Sequence, residues 1–185
     1  IPLHDVRASN RMHAGSAEME SVRARIVAFL PRLRRFCTVL TRSEDRGDDL
    51  MQATVERALT RIDQWQPGSS LESWMFRIAQ NIHIDEVRAQ GRRGITIDID
   101  EAVSLAGDDG RVVVEGRSDL NQARAAMAAL PDEQRVLMAL VVLDGRSYKE
   151  AAEILDIPIG TVMSRIARAR QSVDRALHGE GQGND

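Results

Sequence analysis

Apolar residues in this chain recur at intervals of three and four over most of its length, a spacing that admits little except packed helices. Val22, Ile26, Phe29, Leu33, Phe36 and Leu40 set the pattern and predict a helix over about 18–41. Pro31 lies inside that span and is expected to kink or split it, because it lacks an N–H and crowds the preceding turn. Ser43 can cap a second helix, with Glu44 and Asp45 in a first turn that favours negative charge; this helix is expected to reach about Ile62. "WQPGSS" at 65–70 is a loop on its Pro-Gly signal, and a third helix is expected from Leu71 to Arg92. Further helices fit about 119–129, 131–143, 148–155 and 159–177, with Pro131 suited to a first helical position. No strand-like alternation survives anywhere. The expected fold class is all-α.

One stretch breaks the pattern. Residues 94–117 contain Gly107, Gly110 and Gly116 and have no helical period. Between 94 and 119 stand Asp98, Asp100, Glu101, Asp108, Asp109, Glu115 and Asp119 against Arg111 and Arg117, a local charge of −5 in a chain whose net charge is −3. The rest of the chain is therefore +2, so the total conceals a basic remainder, and local fields rather than totals govern nucleic-acid binding. The expected organisation is two small helical domains, 18–93 and 119–178, joined by a flexible acidic linker over 94–118. Disordered tails are expected at 1–17 and 179–185. A flexible chain of the 24 residues 94–117 has a root-mean-square span of about 25–30 Å.

Several function classes drop out. No apolar run reaches the 18 residues of a membrane span, and no secretory signal opens the chain. Cys37 is the only cysteine, which excludes an internal disulfide and suits a reducing compartment. His4, His13, His83 and His178 are scattered, so no metal site is expected, and no P-loop, dinucleotide turn or triad suggests an enzyme or a cofactor.

The segment "SYKEAAEILDIPIGTVMSRIARARQSV" has the layout of a helix-turn-helix. Ser147 and Glu150 form a capping box that sets where its first helix begins. Ala151 and Ala152 allow close helix approach, and Asp156-Ile157-Pro158 ends the helix. The second helix places Val162, Ile166, Ala169 and Val173 on one side, with Ser164, Arg168 and Gln171 opposite and Thr161 and Arg165 flanking. Arginine can read guanine in the major groove, and a hydroxyl can serve base or phosphate. A solvated arginine face on an ordinary amphipathic helix is the plain alternative.

"DDLMQATVERAL" (48–59) followed by "WQPGSSLESWMFRIAQNIHIDEVRAQGRR" (65–93) resembles the sigma-2 domain of extracytoplasmic-function (ECF) sigma factors. "LPDEQRVLMALVVLDGRSYKEAAEILDIPIGTVMSRIARAR" (130–170) is similar to their sigma-4 domain. The resemblance covers about residues 20–178 and leaves room only for the minimal two-domain architecture. It implies a cytoplasmic bacterial subunit of RNA polymerase that directs the core enzyme to −10 and −35 promoter elements. Such a chain needs no catalytic residue, cofactor or metal, and is expected to be monomeric when free and to be restrained by an anti-sigma factor. On this resemblance Asp48, Asp49, Gln52 and Glu56 would dock on core polymerase; a solvated face is the alternative. Ser69 and Ser70 in the loop, then Asn81, Asp85, Arg88, Arg92 and Arg93, would read the melted −10 strand, where an extruded base can be recognised on its edge. Asp85 and Arg88 could instead form an i,i+3 ion pair, and Trp65 and Trp74 suit a core or pocket wall. Tyr148, Lys149, Thr161, Ser164, Arg165 and Arg168 would serve the −35 element. Met163 stands where several relatives carry arginine, Ala167 where some carry an aromatic, and Val141 in place of an expected basic residue, which bears on base preference rather than fold. Two other readings fit parts of the chain: a sigma-like decoy that only binds an anti-sigma factor, and a helix-turn-helix regulator with a helical dimerisation domain.

Overall fold

A computed structural model describes residues 4–92 and 114–178. All its regular elements are helical: α1 (His4–Thr41), α2 (Glu44–Thr60), α3 (Leu71–Arg92), α4 (Val114–Ala128), α5 (Asp132–Met138), α6 (Tyr148–Leu155) and α7 (Ile159–His178). The seven helices fall into an N-terminal trio and a C-terminal quartet.

In the trio, α1 lies against both α2 and α3. The six stripe residues of α1 are all buried, and they close on Leu50 and Ala58 of α2 and on Leu71, Met75, Phe76, Ala79 and Ile82 of α3. Phe76 is the centre of this core: its ring meets Phe29 and Phe36 edge-on, with centroids 5.0 and 4.6 Å away, a geometry that suits aromatic quadrupoles. Cys37 is fully buried here, and burial pushes its thiol up to about 12. Ser43 caps α2 as expected, its side chain accepting from the Arg46 N–H. Gly47 sits where α2 crosses α1; a Cβ there would lie 2.7 Å from the Thr38 Cα, so only glycine permits the approach.

Several details differ from the sequence expectation. Helix α1 begins at His4, so residues 4–17 are helical rather than a loose tail. That segment holds one glycine and no proline, with Ala, Arg and Met that favour helix. Pro31 does not split α1. It is exposed, and Val27, whose carbonyl loses its helical partner, is 64% exposed, so water can satisfy that oxygen. Helix α2 stops at Thr60, and a 3-10 turn over Ile62–Gln64 then carries Trp65 into the core. Helix α4 begins at Val114, inside the stretch expected to be linker; residues 94–113 of that stretch, and the expected tail at 179–185, lie outside the described residues.

In the quartet, α4, α5 and α6 pack on α7. Pro131 is the N-cap of α5 rather than its first helical residue, so the helix begins one residue later than expected. Helix α5 widens into a π-helical turn over Ala139–Leu143. That turn closes with Asp144 N donating to the Ala139 carbonyl at 3.0 Å and Arg146 N to that of Leu140 at 2.9 Å, with Gly145 between them at φ 72°. The Ser147–Glu150 capping box forms at the start of α6. Asp156 ends α6 in the left-handed region at φ 53°, which Asp tolerates better than most residues.

Trio and quartet are not separate bodies on a tether. Helix α5 packs on α1 and α6 on α3, and one contiguous apolar cluster runs through both halves. The sequence pattern could not show this, because the partners across the seam lie far apart in the chain.

Candidate nucleic-acid interface

Three surfaces carry the expected site residues. On α7, the apolar side is buried through Val162, Ile166 and Ala169, which turns the opposite side outward. Ser164 and Arg168 are exposed, and Thr161 is half-buried. The Ser164 hydroxyl donates to the Thr161 carbonyl at 3.1 Å. Arg165 is less free than its place on the helix suggested: its Nη2 lies 2.6 Å from Oε2 of Glu133 in the first turn of α5. Met163 is 55% exposed, so an apolar side chain sits on this face beside the hydroxyls and guanidiniums. Lys149 is exposed, whereas Tyr148 is half-buried against the core, which leaves part of its ring accessible.

On α3, Asn81, Asp85, Arg88 and Arg92 are all exposed along one face. Trp74 and Ile78 begin the same stripe half-buried, so the face passes from packed to polar along the helix. No ion pair joins Asp85 to Arg88 among the described residues, so the alternative of a purely structural pair is not realised. The preceding loop is shaped by Gly68 at φ 93° and by hydroxyls: Ser69 donates to the Gln66 carbonyl at 2.8 Å, and Ser70 accepts from the Ser73 N–H at 3.1 Å, capping α3. Trp65 is core, as expected of a wall residue, with the Arg25 guanidinium 5.4 Å above its ring. Arg93 lies outside the described residues.

The third surface lies between α1 and α2. Asp48, Asp49, Gln52 and Glu56 all border one open hollow of about 480 Å³, floored by Leu30, Met51 and Val55. Arg34 completes the rim and grips Asp48 through two hydrogen bonds of 2.6 and 2.9 Å. This hydrogen bond raises the Arg34 pKa and holds the Asp48 carboxyl below its ordinary range. Gln52 Nε2 donates to Glu56 at 3.2 Å. An acidic, hydrogen-bonding rim around an apolar floor can accept a helix that offers both apolar and basic side chains. Sequence reasoning found the four polar residues and missed Leu30, Arg34, Met51 and Val55. An off-stripe leucine on α1 beside two off-stripe apolar residues on α2 was the available signal. It also missed Glu133, which carries none.

No helix of the described residues is long and apolar enough to cross a membrane, and no cluster of His, Cys, Asp and Glu among them could hold a metal ion.

A family model described as sigma-70, region 4 matches residues 120–173, and one described as the sigma2 domain of PhyR matches residues 26–80. The chain is 37% identical to the ECF RNA polymerase sigma factor EcfG of Rhodopseudomonas palustris (strain TIE-1), over 88% of each chain. It is 31% identical to the ECF RNA polymerase sigma-E factor of Escherichia coli (strain K12), over 77% of this chain and 81% of that one. Among solved structures it resembles the sigma factor RpoE of Bartonella quintana, crystallised in complex with the anti-sigma factor NepR. That match has a TM-score of 0.75 and 30% identity, and covers 87% of this chain and 99% of the other. With both halves matched in order, and with a relative 37% identical over 88% of each chain, the chain belongs to the ECF sigma-factor family.

Proposed function

We propose that this chain binds core RNA polymerase and directs it to promoters, docking through the α1–α2 hollow and reading DNA with α3 and α7. The observation that carries this reading is that both candidate reading helices bury one face and leave a polar, arginine-bearing face exposed. Asn81, Asp85, Arg88, Arg92 and Arg93, with Ser69 and Ser70 in the loop, serve the −10 element. Thr161, Ser164, Arg165 and Arg168, with Tyr148 and Lys149 at the start of α6, serve the −35 element. Asp48, Asp49, Gln52 and Glu56 bind polymerase through the rim of the hollow. The chemistry belongs to the polymerase, so the chain acts as a non-enzymatic initiation factor in the bacterial cytoplasm. Because the Bartonella relative was solved with an anti-sigma factor, a partner of that kind is proposed here too.

The decoy reading draws on one observation, the match of residues 26–80 to the sigma2 domain of PhyR. Against it stands the 37% identity to a sigma factor through both halves, and the retention of Arg88, Arg92, Arg165 and Arg168. Size-exclusion chromatography with sigma-free core polymerase separates the two. An initiation factor co-migrates with core, and charge reversal at Asp49 weakens this; a decoy stays in its own peak while still capturing an anti-sigma factor.

A further inference from the structure

The outward face of α7 is divided into two ridges. Ile159, Met163 and Ala167 recur at four-residue spacing, which lines them up along the helix. Ile159 is 50% exposed and Met163 55%, and Ala167 is exposed as well. The core takes Val162, Ile166 and Ala169 instead, so this apolar ridge has no partner within the fold. Beside it Ser164 and Arg168, again four apart and both exposed, form a polar ridge. Arg165 on the far flank is committed to Glu133 at 2.6 Å, whereas Arg168 makes no ion pair among the described residues. Gly160 opens the same face. A Cβ there would meet nothing within 4 Å, so packing does not ask for glycine, and its bare backbone lets a large partner come close.

The charge of the helix selects the kind of partner. Helices α2, α3, α5 and α6 each place Asp or Glu in the first turn, the sign that a helix N-terminus favours; α7 places none. From Ile159 to Val173 it carries Arg165, Arg168 and Arg170 and no acid. An anionic partner suits that balance. A DNA duplex is an anionic partner that also shows apolar groups between its phosphates, the C5-methyl groups of thymine in the major groove.

We propose that Ile159, Met163 and Ala167 form a thymine-methyl reader, and that at least one position of the −35 element is a thymine selected by its methyl group. This rests on the reading of α7 as the −35 reader, and adds to it a base chosen by apolar contact rather than by a hydrogen bond. Ser164 and Arg168 meet base edges or phosphates alongside. Met163 carries most of the contact, because its unbranched thioether can follow a methyl group and it is the most exposed of the two large side chains.

The test uses core RNA polymerase saturated with the full chain, and duplexes randomised over the −35 region. Enrichment is expected to return a site with at least one invariant thymine. Replacing that thymine by deoxyuridine, which deletes only the methyl group, should weaken binding about fourfold, the worth of one buried methyl. With Met163→Ala, thymine and deoxyuridine should bind alike, and the melting temperature should not change, because the side chain is exposed. Arg168→Ala should lower affinity for both duplexes and keep their ratio. Met163→Arg should move the preference at that position from thymine to a base pair that presents guanine. An enriched site in which no thymine is sensitive to deoxyuridine, or sensitivity that survives Met163→Ala at every position, would overturn the methyl contact. If Met163→Ala weakened binding to core polymerase itself, with no deoxyuridine effect, the ridge would belong to a protein partner and the methyl reader would fall. Enrichment of no sequence at all would sink the −35 reading of α7, and the role of the ridge with it.

Discussion

Arg135 is 3% exposed and spends its guanidinium on backbone oxygens: Val39 and Leu130 at 2.9 Å each, with its own Asp132 at 2.6 Å. Burial lowers its pKa, and the paired Asp132 offsets part of that cost. Arg135→Met keeps the stem and removes the donors, leaving carbonyls without partners. It should lower stability by about 2–4 kcal/mol, read as a shift in the urea midpoint. Glu150 makes a pH-dependent contribution. Its carboxylate accepts from the Ser147 N–H at 2.9 Å and the Ser147 hydroxyl at 2.8 Å, and these bonds hold it below its ordinary range. A depressed folded-state pKa stabilises the fold above the unfolded value, about 4.5, and the gain is lost as pH falls through the folded value. The difference in melting temperature between the wild-type chain and Glu150→Gln should be constant from pH 7 to about 5 and should shrink below it. On the reading face, Arg168→Ala should weaken promoter binding by about ten- to a hundredfold without changing the melting temperature. A uniform loss across all sequences would mark a phosphate contact, and a loss confined to one base position would mark direct readout.

At the scale of elements, the α1–α2 crossing turns on Gly47. A Cβ there meets Thr38 backbone atoms that cannot move aside, so Gly47→Ala should cost about 1–3 kcal/mol in a denaturant titration. Gly91, with nothing within 4 Å of a built Cβ, is the control: Gly91→Ala in α3 should be neutral or stabilise by up to about 1 kcal/mol. The helices themselves were legible because their stripes repeat locally. The α1 pattern, the Ser43 cap, the Ser147–Glu150 box and the Pro158 turn all occupy windows of a few residues. What was not legible depends on distant partners. The start of α1 at His4 has no apolar stripe in the sequence to announce it, and Pro31 survives because of which side of α1 meets water. The same division holds for the site. Asn81, Asp85, Arg88 and Arg92 could be grouped from spacing alone. The Arg34 grip on Asp48 and the Glu133 hold on Arg165 needed a second helix to be placed.

Over the whole molecule, two helical bodies that would stand alone in a domain description share one core and an arginine-rich seam. Arg32 and Asp144 are 112 residues apart in the chain, so no local rule connects them. Between Arg92 and Val114 the chain can reach at most about 75 Å when fully extended, enough, with the bodies' own dimensions, for the halves to separate to promoter distances. On the proposed reading, two weak DNA contacts on one tether would gain through effective concentration. Promoter-specific run-off transcription, with core polymerase, this chain and genomic fragments of its host, tests the central claim most directly. Discrete transcripts that require the chain, share sequence near −10 and −35, and fall at least tenfold with Arg168→Ala are the predicted result. Core polymerase bound by the chain but starting no discrete transcripts from any host fragment, where a known sigma factor does so on its own promoter, would contradict it.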